Sequence, residues 1–325
     1  MLSPEALEKR HQRERLKNSL RHIKETISKR EWQNALKRYQ GVPDKYYHES
    51  DPVGPNDLSS HSSLKRFRPK GGQPAESWEI MAGPGALSAG ARSKQMTHLP
   101  PIDHRWGWHV GRYADQLRLL ILQVLIGCGT LFASPSCHPW GANARATTPE
   151  RRHEARHNER QSLQFLAVML LAQCILGRTF VVEQPEGSDL LKESPLAALV
   201  THTTTYSAHL HQCMYGKTLL ELPARKATEL TSNRDIQTVA PELTRHCDKS
   251  HSHQHIRGPN AEGVNLSSLS AMYPPKLVEA ILKATRTFAS TPTGGSDPRR
   301  SLHSFKTHWG GHFNFWSRRP RGNRK

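Results

Sequence analysis

The chain has 325 residues, enough for one sizeable hydrophobic core or two modest ones with tails. Hydrophobic residues make up 35% of it, below the usual globular share, so we expect the first 75 and the last 40 residues to stay outside any core. Lys and Arg outnumber Asp and Glu by 46 to 28, a net charge of +18 that favours polyanionic partners. The excess concentrates in residues 10–30 and 299–325, as in flexible arms that contact phosphate. A basic surface that only keeps the chain soluble is the alternative.

The cysteines and the apolar runs indicate the compartment. Five cysteines, an odd number at wide spacing, argue against a disulfide framework and for a reducing environment. Residues 1–40 are charged throughout, unlike a secretory signal. The most apolar run, residues 117–133, is shorter than a membrane span and contains Arg118 and Gln123. We therefore expect an intracellular protein of the nucleus or cytoplasm, neither secreted nor bound to a membrane. The oligomeric state stays open.

The first 75 residues divide into two segments. Residues 1–40 have apolar positions spaced for two short amphipathic helices, with Ser3 before Pro4 as a helix start. Residues 41–75 are rich in Pro, Gly, Ser and His, which predicts a disordered linker.

Strands and helices alternate from residue 77 onward. The predicted strands cover residues 78–82, 99–102, 130–133 and 179–183, and the predicted helices cover residues 87–94, 113–126 and 149–176. This alternation predicts an α/β, Rossmann-like domain over residues 76–285, with a mostly parallel sheet and flanking helices. Its second half, residues 186–285, has a more divergent pattern, with strands near 208–215 and 227–232 and a helix over 274–287. Residues 286–325 are expected to form a disordered basic tail.

A glycine loop follows the first of these strands. Gly83 and Gly85 lie between a predicted strand and a predicted helix, where glycine allows close backbone approach and the helix start offers free N–H groups. Asp103 ends the next predicted strand, the usual place for a carboxylate that binds ribose hydroxyls. With Glu79 inside the first strand, these residues predict a nucleotide-type pocket. A simple turn is the alternative.

Histidines and cysteines concentrate in the second half of the domain. They are His246, Cys247, His251, His253 and His255, preceded by His209, His211 and Cys213. Imidazole and thiolate suit tetrahedral zinc, and Cys247 with His251 or His253 has a plausible ligand spacing. A polar loop with adventitious metal affinity, or histidines on nucleic acid phosphate, are alternatives. The spacing matches no strong zinc signature, so the sequence assigns no metal.

The motifs of this region resemble those of a known enzyme family. Residues 79–85, Glu-Ile-Met-Ala-Gly-Pro-Gly, resemble the first motif of class I S-adenosylmethionine-dependent methyltransferases, as in C5-cytosine DNA methyltransferases. A closer resemblance is to methyltransferase-like segments of retroelement-derived polyproteins. In those segments the glycine loop is followed in order by an Asp, a Gly-Trp-Asp, a Ser-Pro-x-Cys and a Glu-x-Pro. The counterparts in this chain are Asp103, Gly107-Trp108-His109, Ser134-Pro135-Ser136-Cys137 and Glu183-Gln184-Pro185.

The resemblance covers residues 77–285 and implies specific roles. It implies S-adenosylmethionine as cofactor, bound by Glu79, Gly83, Gly85 and Asp103, and DNA or RNA as partner. In cytosine C5 methylation a thiolate adds to C6 of the base while a carboxylic acid binds the ring, and the resemblance assigns these roles to Cys137 and Glu183. The thiolate would need a lowered pKa, supplied by a helix N-terminus or by a cation such as His138.

Departures from the family pattern bear on activity. Ser136 stands where active C5 methyltransferases have Pro, Gln184-Pro185 replaces Asn-Val, and His109 stands where an Asp often contacts the adenine. We therefore expect a degenerate methyltransferase-like protein that binds nucleic acid, with cytosine methylation weak or lost. A non-catalytic nucleic-acid-binding module that uses its basic arms is the alternative.

Overall fold

The computed structural model describes residues 75–290, apart from residues 126 and 262. The helices predicted over residues 1–40, nearly all of the linker over 41–75 and residues 291–325 of the predicted tail lie outside the described residues. Residues 286–290, predicted to belong to that disordered tail, instead continue the last helix, Pro275–Ser290.

A five-stranded sheet forms the centre of the described region. Its strands are β1 (Ala75–Ile80), β2 (Cys128–Ala133), β3 (Thr179–Pro185), β4 (Tyr206–His211) and β7 (Ala227–Ser232), in the order β1-β2-β3-β7-β4. Strands β1, β2 and β3 pair in parallel, whereas β7 pairs antiparallel with both β3 and β4. Four strands thus run in one direction and β7 runs in the other. The short strands β5 (Thr218–Leu219) and β6 (Leu222–Pro223) form a separate hairpin.

The strand predicted over residues 99–102 is only partly formed. It lies beside β1 and runs parallel to it, but only through isolated bridges between Ser77 and His98 and between Ile80 and Ile102. Two consecutive prolines, Pro100 and Pro101, explain the interruption because neither has an N–H to donate to the ladder. The carbonyl of Pro100 instead accepts a hydrogen bond from Trp78 Nε1 at 2.9 Å.

Helices cover both faces of the sheet. They are α1 (Ala86–Ser93), α2 (Tyr113–Leu125), α3 (Pro149–Ile175), α4 (Leu190–Glu193), α5 (Leu196–His202), α6 (Ile236–Val239), α7 (Leu266–Leu269) and α8 (Pro275–Ser290). Alternate residues of the strands point to opposite faces, so Leu131 and Ala133 pack against one core and Phe132 against the other. The first core contains residues of α2, α3, α4 and α5, and the second contains residues of α1, α6 and α8. The predicted α/β class, with helices flanking a largely parallel sheet, is confirmed.

Some element boundaries differ from the predictions. The strand predicted near 208–215 is β4, and a short 3-10 turn, Gln212–Tyr215, replaces its second half. Helix α3 begins as predicted, because the Thr148 side chain accepts a hydrogen bond from the backbone N–H of Arg151 and Pro149 occupies the first turn. Among residues 75–290, leaving aside 126 and 262, no helix has the length and apolar character needed to cross a bilayer.

Candidate functional site

The glycine loop joins β1 to α1 at the carboxyl edge of the sheet. Its backbone takes positive φ at alternate residues, 54° at Met81, 53° at Gly83 and 70° at Gly85. Glycine adopts this region freely, whereas Met81 does so under strain. The N–H of Gly85 closes the turn by donating to the Ala82 carbonyl at 2.9 Å.

The Glu79 carboxylate lies beneath this loop and caps α1. Its Oε2 accepts hydrogen bonds from the backbone N–H and the hydroxyl of Ser88, both at 2.9 Å, and its Oε1 accepts a longer one from the N–H of Leu87 at 3.5 Å. Burial raises the pKa of Glu79 to about 7, against the lowering effect of the Ser88 hydrogen bonds. The predicted ligand residue is therefore engaged with the protein's own helix start.

The Asp103 carboxylate is close to the loop, as the prediction requires. Its Oδ2 accepts the N–H of Gly83 at 2.9 Å, and its Oδ1 accepts the N–H of Arg105 at 3.1 Å and lies 2.8 Å from Nδ1 of His104. The structure thus brings Asp103, Gly83 and Glu79 together. Both oxygens of Asp103 nevertheless have partners within the protein, so the carboxylate holds the glycine loop in its observed conformation.

The side chain of Trp106 fills the space over Gly85. A Cβ atom on Gly85 would lie 3.3 Å from Cζ2 of Trp106 and 3.4 Å from Cγ of Pro101, although nothing stands within 4 Å of the same position on Gly83. A cavity of about 10 Å³ lies next to β1 and is lined in part by Glu79, Ser88 and Thr130. That volume suits a single water molecule and is far too small for a nucleoside.

Cys137 and Glu183 come together at the same sheet edge. Cys137 lies in the loop after β2, and Glu183 lies in the neighbouring strand β3, so the expected adjacency of the two strand ends is present. Burial and the Glu183 carboxylate raise the pKa of the Cys137 thiol. The opposing cation is Lys226, whose Nζ lies 4.0 Å from Oε1 of Glu183. The lowered pKa that a thiolate nucleophile would need is therefore absent at Cys137, because burial and the Glu183 carboxylate outweigh the effect of Lys226.

Residues outside the sequence motifs complete this cluster. The hydroxyl of Tyr273 lies 2.6 Å from the Ser134 hydroxyl, and burial together with Glu183 raises the Tyr273 pKa well above its ordinary value. The Tyr273 ring also packs edge-on against Phe132, and Lys226 Nζ lies 5.9 Å from the ring centre. In the sequence, Tyr273 stands out only as the residue before Pro274-Pro275, which signals a helix start and not a contact with a distant loop.

The loop around Cys137 is anchored by contacts of Trp140, Arg156 and Gln184. Trp140 donates from Nε1 to Glu159 Oε2 at 3.2 Å, and the guanidinium of Arg156 lies 4.6 Å above the Trp140 ring. Gln184, which replaces an Asn of the family motif, donates from Nε2 to the Pro135 carbonyl at 3.0 Å. These contacts fix the conformation of the loop that carries Cys137.

A second convergence of side chains involves the histidine-rich segment. Cys213, Cys247, His251 and His253 place one ligand atom each within 4.8 Å of all the others. His209, His246 and His255 are not members of this group.

Comparison with known proteins identifies no relative: no protein-family model matches the chain, and no curated protein matches it either.

Proposed function

We propose that this chain is a retroelement-derived, methyltransferase-like protein of Rossmann type that binds nucleic acid through its basic termini. Cytosine methylation is its ancestral activity and is weak or lost. The observation that carries the proposal is the distribution of charge along the chain. The folded domain is nearly neutral, whereas the terminal segments are strongly basic.

The sheet supports the methyltransferase-like ancestry. The parallel strands β1, β2 and β3 with helices on both faces accord with the Rossmann-type sheet that the resemblance implies, and β7 runs in the opposite direction between β3 and β4. The glycine loop follows the first strand and Asp103 follows the neighbouring one, in the chain order that the resemblance implies. Because one fold hosts many functions, this likeness supports descent and not activity.

The residues at the glycine loop do not fit S-adenosylmethionine. A ribose would have to share the Asp103 carboxylate with Gly83, Arg105 and His104, which already contact its two oxygens. An adenosyl group would also need the space over Gly85 that Trp106 and Pro101 fill. We therefore derive no methyl-transfer step from this site.

The distribution of charge supports nucleic acid as the partner. Residues 75–290 contain 22 Lys and Arg against 18 Asp and Glu, so most of the net charge of +18 lies in residues 1–74 and 291–325. Cations bind nucleic acid by releasing counterions from phosphates, and this term is independent of sequence. The final segment also interleaves Trp309, Phe313, Phe315 and Trp316 with its cations, which suits stacking on single-stranded bases.

Neutralising the terminal cations tests this proposal. The variant carries Gln at Arg318, Arg319, Arg321, Arg324 and Lys325, and its affinity for labelled single-stranded and duplex oligonucleotides is measured by fluorescence anisotropy. The matched control carries Gln at five exposed cations of the folded domain, Arg105, Arg151, Arg160, Arg257 and Lys276. We expect the affinity of the first variant, called the tail variant, to be at least about tenfold lower than that of the wild type, since each lost phosphate contact weakens binding. An equal loss in the control would contradict binding through the termini.

Residual cytosine methylation is the second candidate function, favoured by the adjacency of Cys137 and Glu183. Calorimetric titration with S-adenosylmethionine and transfer of a labelled methyl group to cytosine-containing DNA test it, with Cys137→Ala compared against Cys174→Ala as a control thiol. We expect no measurable cofactor binding and no transfer. Transfer that survives in Cys174→Ala and disappears in Cys137→Ala would establish the enzyme.

A further inference from the structure

Two segments distant in sequence bring two thiols and two imidazoles to one point. Cys213 lies in the 3-10 turn after β4, whereas Cys247, His251 and His253 lie in the irregular segment over residues 244–265. The Cys247 sulfur is 3.6 Å from Nε2 of His251 and 3.4 Å from Nε2 of His253, and all four ligand atoms lie within 4.8 Å of one another. With Zn–S near 2.3 Å and Zn–N near 2.0 Å, sulfur and nitrogen in a tetrahedral site stand about 3.5 Å apart.

We propose that these residues form a structural Zn²⁺ site of the Cys₂His₂ type, with Sγ of Cys213 and Cys247 and Nε2 of His251 and His253 as ligands. Four protein ligands complete a tetrahedron and leave no position for water or substrate, so the metal stabilises the fold. The proposal is independent of methyl transfer and of nucleic acid binding.

Neighbouring groups hold the ligands in orientation. The N–H of Lys249 donates to the Cys247 sulfur at 3.3 Å, from a turn in which Lys249 takes a φ of 64°. The N–H of Cys247 donates to Nδ1 of His211 at 2.9 Å, which ties the turn to the end of β4. The Ser250 hydroxyl lies 3.4 Å from Nδ1 of His251 and so directs the other ring nitrogen toward the cluster. Hydrogen bonds of this kind set the direction of metal ligands.

The surrounding packing gives a metal a structural role. Apart from residue 262, whose placement is not described, residues 244–265 contain neither a helix nor a strand, only one bridge from Pro259 to Asn265. Their hydrophobic support is a small cluster in which Ile256 packs against Leu219, Ala224 and Leu266. Small or irregular regions with few apolar contacts are often held by a metal. Zinc would tie the segment to the turn after β4.

A disulfide between Cys213 and Cys247 is the competing explanation for the pair of sulfurs. It would leave His251 and His253 without a reason to converge on the same point. The two imidazoles therefore favour the metal.

Metal analysis of the full-length chain tests the proposal. After expression with zinc and desalting, zinc per chain is measured by mass spectrometry for the wild type, for Cys213→Ser, Cys247→Ser and His251→Asn, and for the controls Cys137→Ser and His255→Asn. Cys137 and His255 are not members of the ligand group. We expect one zinc ion per chain in the wild type and in both controls, and loss of most of it in the three ligand variants. Equal zinc in a folded ligand variant would overturn the assignment.

Cobalt substitution of the wild type tests the metal site even if a ligand variant does not fold. We expect thiolate-to-cobalt charge-transfer absorption and the intense visible bands of tetrahedral Co²⁺, with displacement by zinc. Alkylation under native, non-reducing conditions followed by mass spectrometry should show Cys213 and Cys247 protected with zinc and modified after chelation. A Cys213–Cys247 disulfide, or the absence of charge transfer, would refute the site.

Discussion

At the scale of single residues, Glu79 shows how burial changes a carboxylate. Its side chain is 3% exposed and receives hydrogen bonds only from the start of α1, so the charged form is poorly solvated and the pKa rises to about 7. An acid whose pKa is higher in the folded state than in the unfolded state contributes stability at low pH. That contribution is lost as the pH rises from about 4.5 through 7.

Replacing Glu79 by Gln should remove this dependence. The amide oxygen can still accept from Ser88 but cannot ionise, so the free energy of unfolding of Glu79→Gln should improve relative to wild type by about 2 kcal/mol between pH 5 and pH 8.5. Urea denaturation across that range measures the difference. Glu154→Gln, on the exposed face of α3, is the control and should follow the wild-type profile. Parallel profiles for wild type and Glu79→Gln would contradict the raised pKa.

Cys137 is the second residue whose chemistry depends on its neighbours. Removing the Glu183 charge should lower the thiol pKa, and removing Lys226 should raise it. At a fixed pH near 8 we expect iodoacetamide to modify Cys137 several-fold faster in Glu183→Gln and several-fold slower in Lys226→Met. Peptide mass spectrometry reads the rate at this cysteine separately from the other four. If both variants react at the wild-type rate, the charges of Glu183 and Lys226 do not change the pKa of the Cys137 thiol.

At the scale of elements, the contact between α1 and α8 depends on a glycine. A Cβ on Gly90 would lie 2.4 Å from Cγ1 of Val278 and 3.1 Å from Cδ1 of Leu282. Valine has little rotational freedom at χ1, so the helices would have to separate. Close approach at Gly90 therefore sets the distance between these two helices.

Gly90→Ala should destabilise the protein by about 1–3 kcal/mol, although alanine alone would favour the helix by about 1 kcal/mol. Adding Val278→Ala should recover part of the loss, because the second change removes the methyl group that clashes. Thermal unfolding of the two single variants and the double variant forms the test. Ala89→Ser, at the exposed neighbouring position, is the control. Strict additivity of the two effects would argue against a direct contact.

At the scale of the whole molecule, most of the positive charge lies outside the folded domain. The folded domain is nearly neutral, whereas the cations of the terminal segments dominate the net charge of +18. The proposed binding should therefore be strongly dependent on ionic strength, with a log–log slope of about −0.9 for each phosphate contacted in duplex DNA. The tail variant should show a shallower slope while its midpoint of thermal unfolding stays unchanged. A flat salt response of the wild type would contradict phosphate contacts.

Local patterns were sufficient for most elements and for the order of the motifs. The β-branched run that forms β3, the Thr148-Pro149 start of α3 and the glycine loop each depend on neighbours in sequence, so spacing and turn chemistry predict them. The adjacency of Asp103 and Gly83 also follows, because consecutive parallel strands end at one edge of a sheet.

Contacts between distant segments were decided only by the tertiary structure. The reversal of β7 between β3 and β4, the position of Trp106 over Gly85 and the contacts of Tyr273 with Ser134 have no local signal. The sequence groups Cys213 with the histidines and cysteines of this region, but only the tertiary structure shows that its sulfur joins Cys247, His251 and His253. Such contacts arise when the faces of helices and strands pack against one another. The entropic cost of closing a loop depends only weakly on its length, so the spacing of two residues along the chain says little about whether they meet.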